Sequence, residues 1–152
     1  MILYHGTTFE QAEDILLAQE IRTTSKGNTR YPTGGHSQTT FGYVYLSTSI
    51  NQAFGFGVLA SQTNHGSNSI AVFEIELGED EIEVDLDEKE HNAIVTSVEL
   101  PANSCFRISR NLAIQSDIKR YFFLHCRDRD HAWRVADNPK LVERVHDRWI
   151  AF

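Results

Sequence analysis

The sequence predicts an α+β fold, in which helices and strands do not alternate strictly along the chain. Aromatic and β-branched runs typical of strands recur between residues 1 and 108. Apolar residues at helical spacing appear early and again after Asn111. Because a doubly wound parallel sheet needs regular strand–helix alternation, this order favours a segregated α+β architecture.

The bulk properties fit one domain over residues 1–152. A chain of 152 residues and 17.3 kDa can bury an apolar core without metal ions or disulfides. Cys105 and Cys126 form no CxxC pair, so we expect reduced thiols. No stretch approaches the roughly 20 apolar residues of a membrane span, and no signal-peptide pattern opens the sequence. We therefore expect a cytoplasmic protein that does not bind membranes.

The N-terminal elements are a strand, a helix and a long polar stretch. The apolar start at 1–4 predicts the strand, and Thr8 with Gln11 three positions later forms a capping box that predicts a helix over 9–19. Residues 22–40 are rich in Thr, Ser, Gly and Asn and predict a loop. Loops of this length are typical of binding segments or lids, and an ordinary surface loop is the alternative.

The middle of the chain predicts further strands and one helix. Ser49 repeats the capping logic and predicts a short helix through about Leu59. Strands are predicted over 43–47, 70–77, 81–85, 93–100 and 105–108.

The last part of the sequence predicts helices. After Asn111, the apolar and aromatic residues recur at i, i+4, i+7, i+8 and i+11, namely Ile114, Ile118, Tyr121, Phe122 and His125. Val142, Val145 and Trp149 predict one more short helical or extended segment. Trp133 and Trp149 are expected in the core or at a subunit contact.

Charge is divided unevenly between the two parts of the chain. The net charge is −7, yet residues 107–152 hold 10 Lys+Arg against 6 Asp+Glu, and residues 1–106 hold 4 against 15. A solvated acidic hairpin beside a basic tail is one interpretation. The other makes the basic tail a contact surface for an acidic partner such as RNA.

Two short segments of the sequence contain the main candidate functional residues. The first strand ends in His5-Gly6-Thr7, and the strand at 43–47 contains Tyr45, followed by Ser47-Thr48-Ser49 and a helix with Ala53-Phe54. A single His-Gly-Thr is commonly a capped turn, but here the order, the spacing and the strand-then-helix context all agree. The pair resembles the first two NAD+-binding motifs of ADP-ribosyltransferases of the diphtheria-toxin and poly(ADP-ribose) polymerase type.

This resemblance implies a split β-sandwich of the ADP-ribosyltransferase type, with an NAD+-binding cleft, flanking helices and a C-terminal helical basic segment. His5 would hydrogen-bond a ribose hydroxyl, and Gly6 would let the backbone approach the nicotinamide carboxamide. Tyr45 would stack on the nicotinamide ring. Further expected NAD+ contacts are Thr7, Tyr43, Ser47 and either Phe54 or Phe56, on the opposite face of the ring.

The third motif of the family is less regular here. In the family, this motif begins a later strand with a glutamate. The matching segment of this sequence is Glu90-His91-Asn92-Ala93-Ile94-Val95, followed by Pro101. Registering on Ile94-Val95 places Asn92 at the catalytic position, and Glu90 lies two residues earlier on the same strand face. Glu99 is a weaker candidate. Both Glu90 and Asn92 are kept as catalytic candidates.

The resemblance implies a mono-ADP-ribosyltransferase that moves ADP-ribose from NAD+ to a macromolecular acceptor, either protein or nucleic acid. Compact members are often toxins or phage-conflict proteins, some with an inhibitor or antitoxin partner. One alternative is the NAD+-dependent RNA 2′-phosphotransferase branch, which generally has a histidine where this chain has Tyr45. The other is a catalytically silent binding module.

Other chemistries find less support in the sequence. His125, Cys126 and His131 lack a partner pair at zinc-finger spacing, so no metal site is predicted. No Gly-x-Gly-x-x-Gly or phosphate-loop pattern occurs.

Overall fold

A seven-stranded antiparallel sheet lies at the centre of the computed structural model, which describes residues 1–25, 39–64, 66–88 and 104–152. The strands are β1 (Ile2–Thr8), β2 (Glu20–Ile21), β3 (Val44–Ser47), β4 (Ser69–Glu76), β5 (Glu83–Val84), β6 (Cys105–Ile108), β7 (Leu112–Ala113), β8 (Ile118–His125) and β9 (Ile150–Ala151). The α-helices whose bounds the structure describes are α1 (Phe9–Ala18), α2 (Ile50–Thr63), α3 (Arg129–Ala136) and α4 (Leu141–Val145).

The strand order of the large sheet is β5-β6-β3-β1-β4-β8-β9, and β2 pairs with β7 in a separate two-stranded sheet. The interior strand β4 pairs with β1 from Ile2–Glu76 to Thr8–Ile70 and with β8 along most of its length. By contrast, the described residues of β1 and β3 pair at one position, Tyr4 opposite Ser47. The sheet is therefore continuous through β4 and nearly divided between β1 and β3.

Two apolar cores cover the two faces of this sheet. The first core contains residues of α1, β2 and β7 with Ala71, Phe73 and Ile75 of β4. The second core contains residues of α2, α3 and α4 with Ile70 and Val72 of the same strand. Because alternate side chains point to opposite faces, β4 is buried on both sides, which explains its nearly continuous apolar run.

Helix α2 lies against β1 at close range. A Cβ atom at Gly6 would stand 1.6 Å from the carbonyl oxygen of Ala53, and one at Gly57 would stand 2.5 Å from Cγ2 of Ile70. Any side chain at either glycine would push the helix away from the strand. These two glycines thus set the distance between α2 and the sheet.

Local signals in the sequence predict the first two helices correctly. The Thr8 hydroxyl accepts a hydrogen bond from the Gln11 amide at 3.1 Å, and Ser49 caps α2 through the Gln52 amide at 3.4 Å. Helix α1 ends where Gln19 adopts a left-handed conformation with φ of 62°. Helix α2 extends beyond the predicted end, to Thr63.

The predicted strands are found with some differences in extent. The strands predicted at 43–47, 70–77 and 105–108 correspond to β3, β4 and β6. In the 81–85 region, a 3-10 turn at Glu79–Glu81 precedes the short strand β5. The predicted strand at 93–100 lies outside the described residues.

The predicted helix after Asn111 is wrong, because residues Ile118–His125 form strand β8. Tyr121 and Phe123 pack against the first core, whereas Phe122 and Leu124 belong to the second. The register with β4 also shifts between Glu74 and Ile75, and such a bulge changes which side chains face each core. Burial on both faces, together with this shift, produces the i, i+4 spacing that imitates a helix.

The C-terminal basic segment is helical only in part. Helices α3 and α4 follow β8, and the short strand β9 then pairs with β8 at the sheet edge. Trp133 and Trp149 pack against the second core, as predicted for core residues. In the described ranges, no helix is long and apolar enough to cross a membrane.

Candidate functional site

A pocket opens where the pairing between β1 and β3 ends. Both strands contribute to its wall, together with α1, α2 and the segment after β2. The described residues that line it are His5, Gly6, Thr7, Gln11, Ile15, Ile21, Arg22, Thr24, Tyr43, Val44, Tyr45, Phe56 and Ala60. We call this the β1–β3 pocket.

His5 spans the gap between the two strands. Its Nδ1 lies 2.9 Å from the backbone carbonyl oxygen of Tyr45, on a strand 40 residues away in sequence. A carbonyl oxygen only accepts hydrogen bonds, so Nδ1 carries the hydrogen and donates it. In the neutral ring Nε2 is then an acceptor. This tautomer suits the imidazole to receive a hydrogen bond from a ligand hydroxyl.

Thr7 and Gly6 are held by the neighbouring helices. The Thr7 hydroxyl donates a hydrogen bond to Oε1 of Gln11 on α1 at 2.5 Å, and both residues line the pocket. Gly6 faces the backbone of Ala53 on α2. The structural need for glycine at this position therefore comes from helix packing, whether or not a ligand is bound.

Two tyrosines of the segment at 43–47 lie on one side of the pocket. The ring centroids of Tyr43 and Tyr45 are 6.5 Å apart with an interplanar angle of 52°. The guanidinium of Arg107 lies 4.2 Å from the centroid of the Tyr43 ring, a cation–π contact. Since Arg107 occupies one face of Tyr43, that face does not stack on a ligand in this arrangement.

Asp87 is a functional candidate that the sequence did not reveal. Its carboxylate accepts hydrogen bonds from the Tyr45 hydroxyl at 2.5 Å and from the Thr40 amide at 2.6 Å. Burial raises the pKa of Asp87, but the hydrogen bonds from Thr40 and Tyr45 and the nearby Arg107 charge outweigh it and lower the pKa. Asp87 belongs to no motif, and its contact with Tyr45 depends on tertiary structure.

Arg22 supplies a positive charge at the pocket. It follows β2 directly and lines the pocket, while its Nε lies 2.9 Å from a carboxylate oxygen of Glu20. Its side chain is 68% exposed, so the guanidinium can change partner at little cost. The sequence did contain a signal for this residue, because Arg22 is the cation that begins the long polar loop.

The other predicted contacts divide into those near the pocket and those away from it. Phe56 lines the pocket from α2, whereas Phe54 is fully buried in the second core. Ser47 is buried and donates a hydrogen bond to Oε1 of Gln52 at 2.6 Å. Neither Phe54 nor Ser47 is among the described residues that line the pocket.

Two predicted catalytic residues, Glu90 and Asn92, lie outside the described residues. Within the parts of the chain that the structure describes, no group of three or more His, Cys, Asp or Glu side chains could hold a metal ion. The two cysteines, Cys105 and Cys126, are free thiols.

No family model and no curated protein matches the sequence. Among solved structures, the chain is similar to a heat-labile enterotoxin double mutant, with 14% identity, coverage of 93% of this chain and 76% of that chain, and a TM-score of 0.47.

Proposed function

We propose that the protein is an NAD+-dependent mono-ADP-ribosyltransferase that uses the β1–β3 pocket to bind NAD+. The observation that carries the proposal is that His5-Gly6-Thr7 and the pair Tyr43 and Tyr45, far apart in sequence, line one pocket. The two motifs on which the resemblance to ADP-ribosyltransferases rests thus meet in space. Their meeting supports a shared role in binding one ligand.

The aromatic lining suits the nicotinamide end of NAD+. Tyr45 and Phe56 both line the pocket, one from β3 and the other from α2. An aromatic ring attracts a flat cation through dispersion and through its electron-rich face, and the nicotinamide ring of NAD+ carries a positive charge. His5, with Nε2 as acceptor, would receive a hydrogen bond from the adjoining ribose.

Arg22 suits the diphosphate of the dinucleotide. Among the described residues that line the pocket, Arg22 is the one with a permanent positive charge. A guanidinium pairs with phosphate oxygens through two parallel hydrogen bonds. On binding of NAD+, Arg22 would thus leave its exposed contact with Glu20 and pair with a phosphate group.

The chemistry requires the bond between the nicotinamide nitrogen and C1′ of the ribose to break. The electron pair of that bond leaves with nicotinamide, and the ribose develops oxocarbenium character. A nucleophile of the acceptor then forms the new bond to C1′ and loses its proton. A carboxylate at Glu90 would stabilise the developing positive charge more strongly than the amide dipole of Asn92.

The proposed function is tested with NAD+ labelled in the adenylate part and incubated with the protein and a cell lysate. Transfer of label to material that protease removes identifies protein as the acceptor, and transfer to material that nuclease removes identifies RNA or DNA. His5→Ala and Tyr45→Ala should each abolish the label. His146→Ala is the matched control, because His146 is an exposed residue of a short 3-10 turn, His146–Arg148, that follows α4.

The proposal is wrong if folded wild-type protein neither transfers label nor releases nicotinamide. Persistence of full transfer in Tyr45→Ala would move the site away from the β1–β3 pocket. Removal of a 2′-phosphate from RNA without stable labelling would indicate the phosphotransferase branch instead.

A further inference from the structure

We propose that Asp87 is a positioning residue that holds Tyr45 in place within the β1–β3 pocket. The identity of the ligand as NAD+ rests on the proposed function above. Asp87 is not among the described residues that line the pocket, so it acts through Tyr45.

The Asp87 carboxylate is partly buried and is bound from several directions. Its side chain is 11% exposed. One oxygen accepts from the Tyr45 hydroxyl at 2.5 Å and from the Thr40 amide at 2.6 Å, and the other accepts from the Thr40 hydroxyl at 2.7 Å. The Nη1 atom of Arg107 lies 3.7 Å from the carboxylate. A carboxylate held by this many donors has a fixed orientation.

The Tyr45 hydroxyl has one hydrogen and, among the described residues, two acceptors within reach. Besides Asp87, the carbonyl oxygen of Thr40 lies 2.7 Å from the hydroxyl. That carbonyl already accepts a hydrogen bond from the Thr24 hydroxyl at 3.0 Å, whereas hydrogen bonds to a charged acceptor are roughly twice as strong as neutral ones. The hydrogen is therefore directed mainly to Asp87, which is ionised at neutral pH because its pKa is lowered.

This hydrogen bond fixes the direction of the Tyr45 ring. The phenol oxygen lies on the long axis of the ring, so anchoring it determines where that axis points. At the other end, the Tyr45 carbonyl accepts the hydrogen bond of His5. Tyr45 is thus held at its backbone by His5 and at its hydroxyl by Asp87, and the residue as a whole is 6% exposed.

A double-mutant cycle on NAD+ affinity tests the proposal. Tyr45→Phe keeps the ring and removes the hydroxyl, and Asp87→Ala removes its acceptor. We expect each single variant to raise the Kd for NAD+ about tenfold, the scale of one hydrogen bond to a charged group, and the double variant to be no weaker than either. The KM for NAD+ should rise more than kcat falls, because Asp87 positions Tyr45, and Tyr45 belongs to the wall that binds NAD+.

Glu83→Gln is the matched control, because Glu83 also pairs with Arg107, at 2.9 Å, but its side chain is 53% exposed. Its Kd should stay within about twofold of wild type. Asp87→Asn keeps the shape of the side chain and replaces Asp87→Ala if the alanine variant does not fold. An unchanged Kd in a folded Asp87 variant, or a double variant weakened by about the product of the two single effects, overturns the proposal.

Failure of the proposed function has a different signature. If wild-type protein binds no NAD+ at all, the ligand assignment is wrong, and the same four proteins are compared by urea unfolding. If the double variant loses less stability than the sum of the losses in Asp87→Ala and Tyr45→Phe, the result supports the contact. Effects that simply add contradict the positioning of Tyr45 by Asp87.

Discussion

The imidazole Nδ1 of His5 lies 2.9 Å from the backbone carbonyl oxygen of Tyr45. This contact joins β1 and β3 beyond the point where their backbone pairing ends. The hydrogen bond connects the two segments on which the resemblance to ADP-ribosyltransferases rests. In the neutral imidazole it also fixes the tautomer, with the hydrogen on Nδ1 and with Nε2 as the acceptor nitrogen. One contact therefore serves both the fold and the proposed site.

Replacing His5 with alanine should affect ligand binding much more than stability. His5 is only partly buried, and the net contribution of a single hydrogen bond to the free energy of unfolding is about 1 kcal/mol. Urea unfolding should therefore show a loss of about 1 kcal/mol, while NAD+ turnover is abolished. A much larger loss of stability would mean that His5 is mainly a structural residue.

Gly6→Ala should destabilise the protein by about 2 kcal/mol or more. The added Cβ would stand 1.6 Å from the carbonyl oxygen of Ala53, a backbone atom that cannot rotate away. Gly55→Ala, on the same helix, is the control, because its Cβ would find its nearest neighbour, Trp133, at 3.7 Å. The control should be neutral or stabilise by about 0.5–1 kcal/mol through helix propensity. Equal thermal stability of the Gly6 and Gly55 variants would contradict the close packing of α2 on β1.

Asp87 should contribute a part of the acid sensitivity of the protein. Its pKa in the folded state lies below the ordinary value of 3.8. The stability that follows is fully present above 3.8 and is lost as pH falls through the lower folded value. Asp87→Asn should therefore be less stable than wild type at neutral pH, and the gap should narrow as pH falls below 3.8. A constant difference in the free energy of unfolding across this range would contradict the prediction.

Arg120→Met should destabilise the sheet because Arg120 binds the carboxylate of Glu74 with two hydrogen bonds, at 2.8 and 2.7 Å. Glu74 has an 11% exposed side chain, while that of Arg120 is 42% exposed. Since the pair is neither fully buried nor fully exposed, we expect a loss of about 1–2 kcal/mol in chemical unfolding. Glu74→Gln in the same background should restore part of it. No recovery in the double variant would mean that the lost stability comes from the packing of Arg120 on Trp149, at 4.4 Å, and not from the ion pair.

The variants Glu90→Gln and Asn92→Ala determine which of the two residues occupies the third catalytic position of the proposed enzyme. We expect the residue that stabilises the oxocarbenium-like ribose to lower kcat while the KM for NAD+ changes little, because its interaction strengthens in the transition state. Steady-state kinetics of nicotinamide release separate the two variants. Full activity in both would place the catalytic group elsewhere.

The sequence predicts those parts of the fold that depend on near neighbours. The caps at Thr8 and Ser49 are hydrogen bonds to residues three positions away, so their pattern is readable in the chain itself. Strand β8 is not readable in this way, because both of its faces are buried and a shift in register breaks its alternation.

In the candidate site, too, the residues marked by local sequence patterns are predicted and those that depend on tertiary contacts are not. His5 and Tyr45 are predicted from motifs and line one pocket in the structure. Asp87 is not predicted, because its contact with Tyr45 joins residues 42 positions apart and no local pattern marks it. The role of Gly6 also changes, since contact with Ala53 already requires a glycine there.

Titration of the purified protein with NAD+ by calorimetry is the most direct measurement of the central claim, that the β1–β3 pocket binds this dinucleotide. The account predicts saturable binding to one site in wild type and in His146→Ala, and no detectable binding in folded His5→Ala and Tyr45→Ala. Absence of binding in the wild-type protein, or equal affinity in all four proteins, would contradict it.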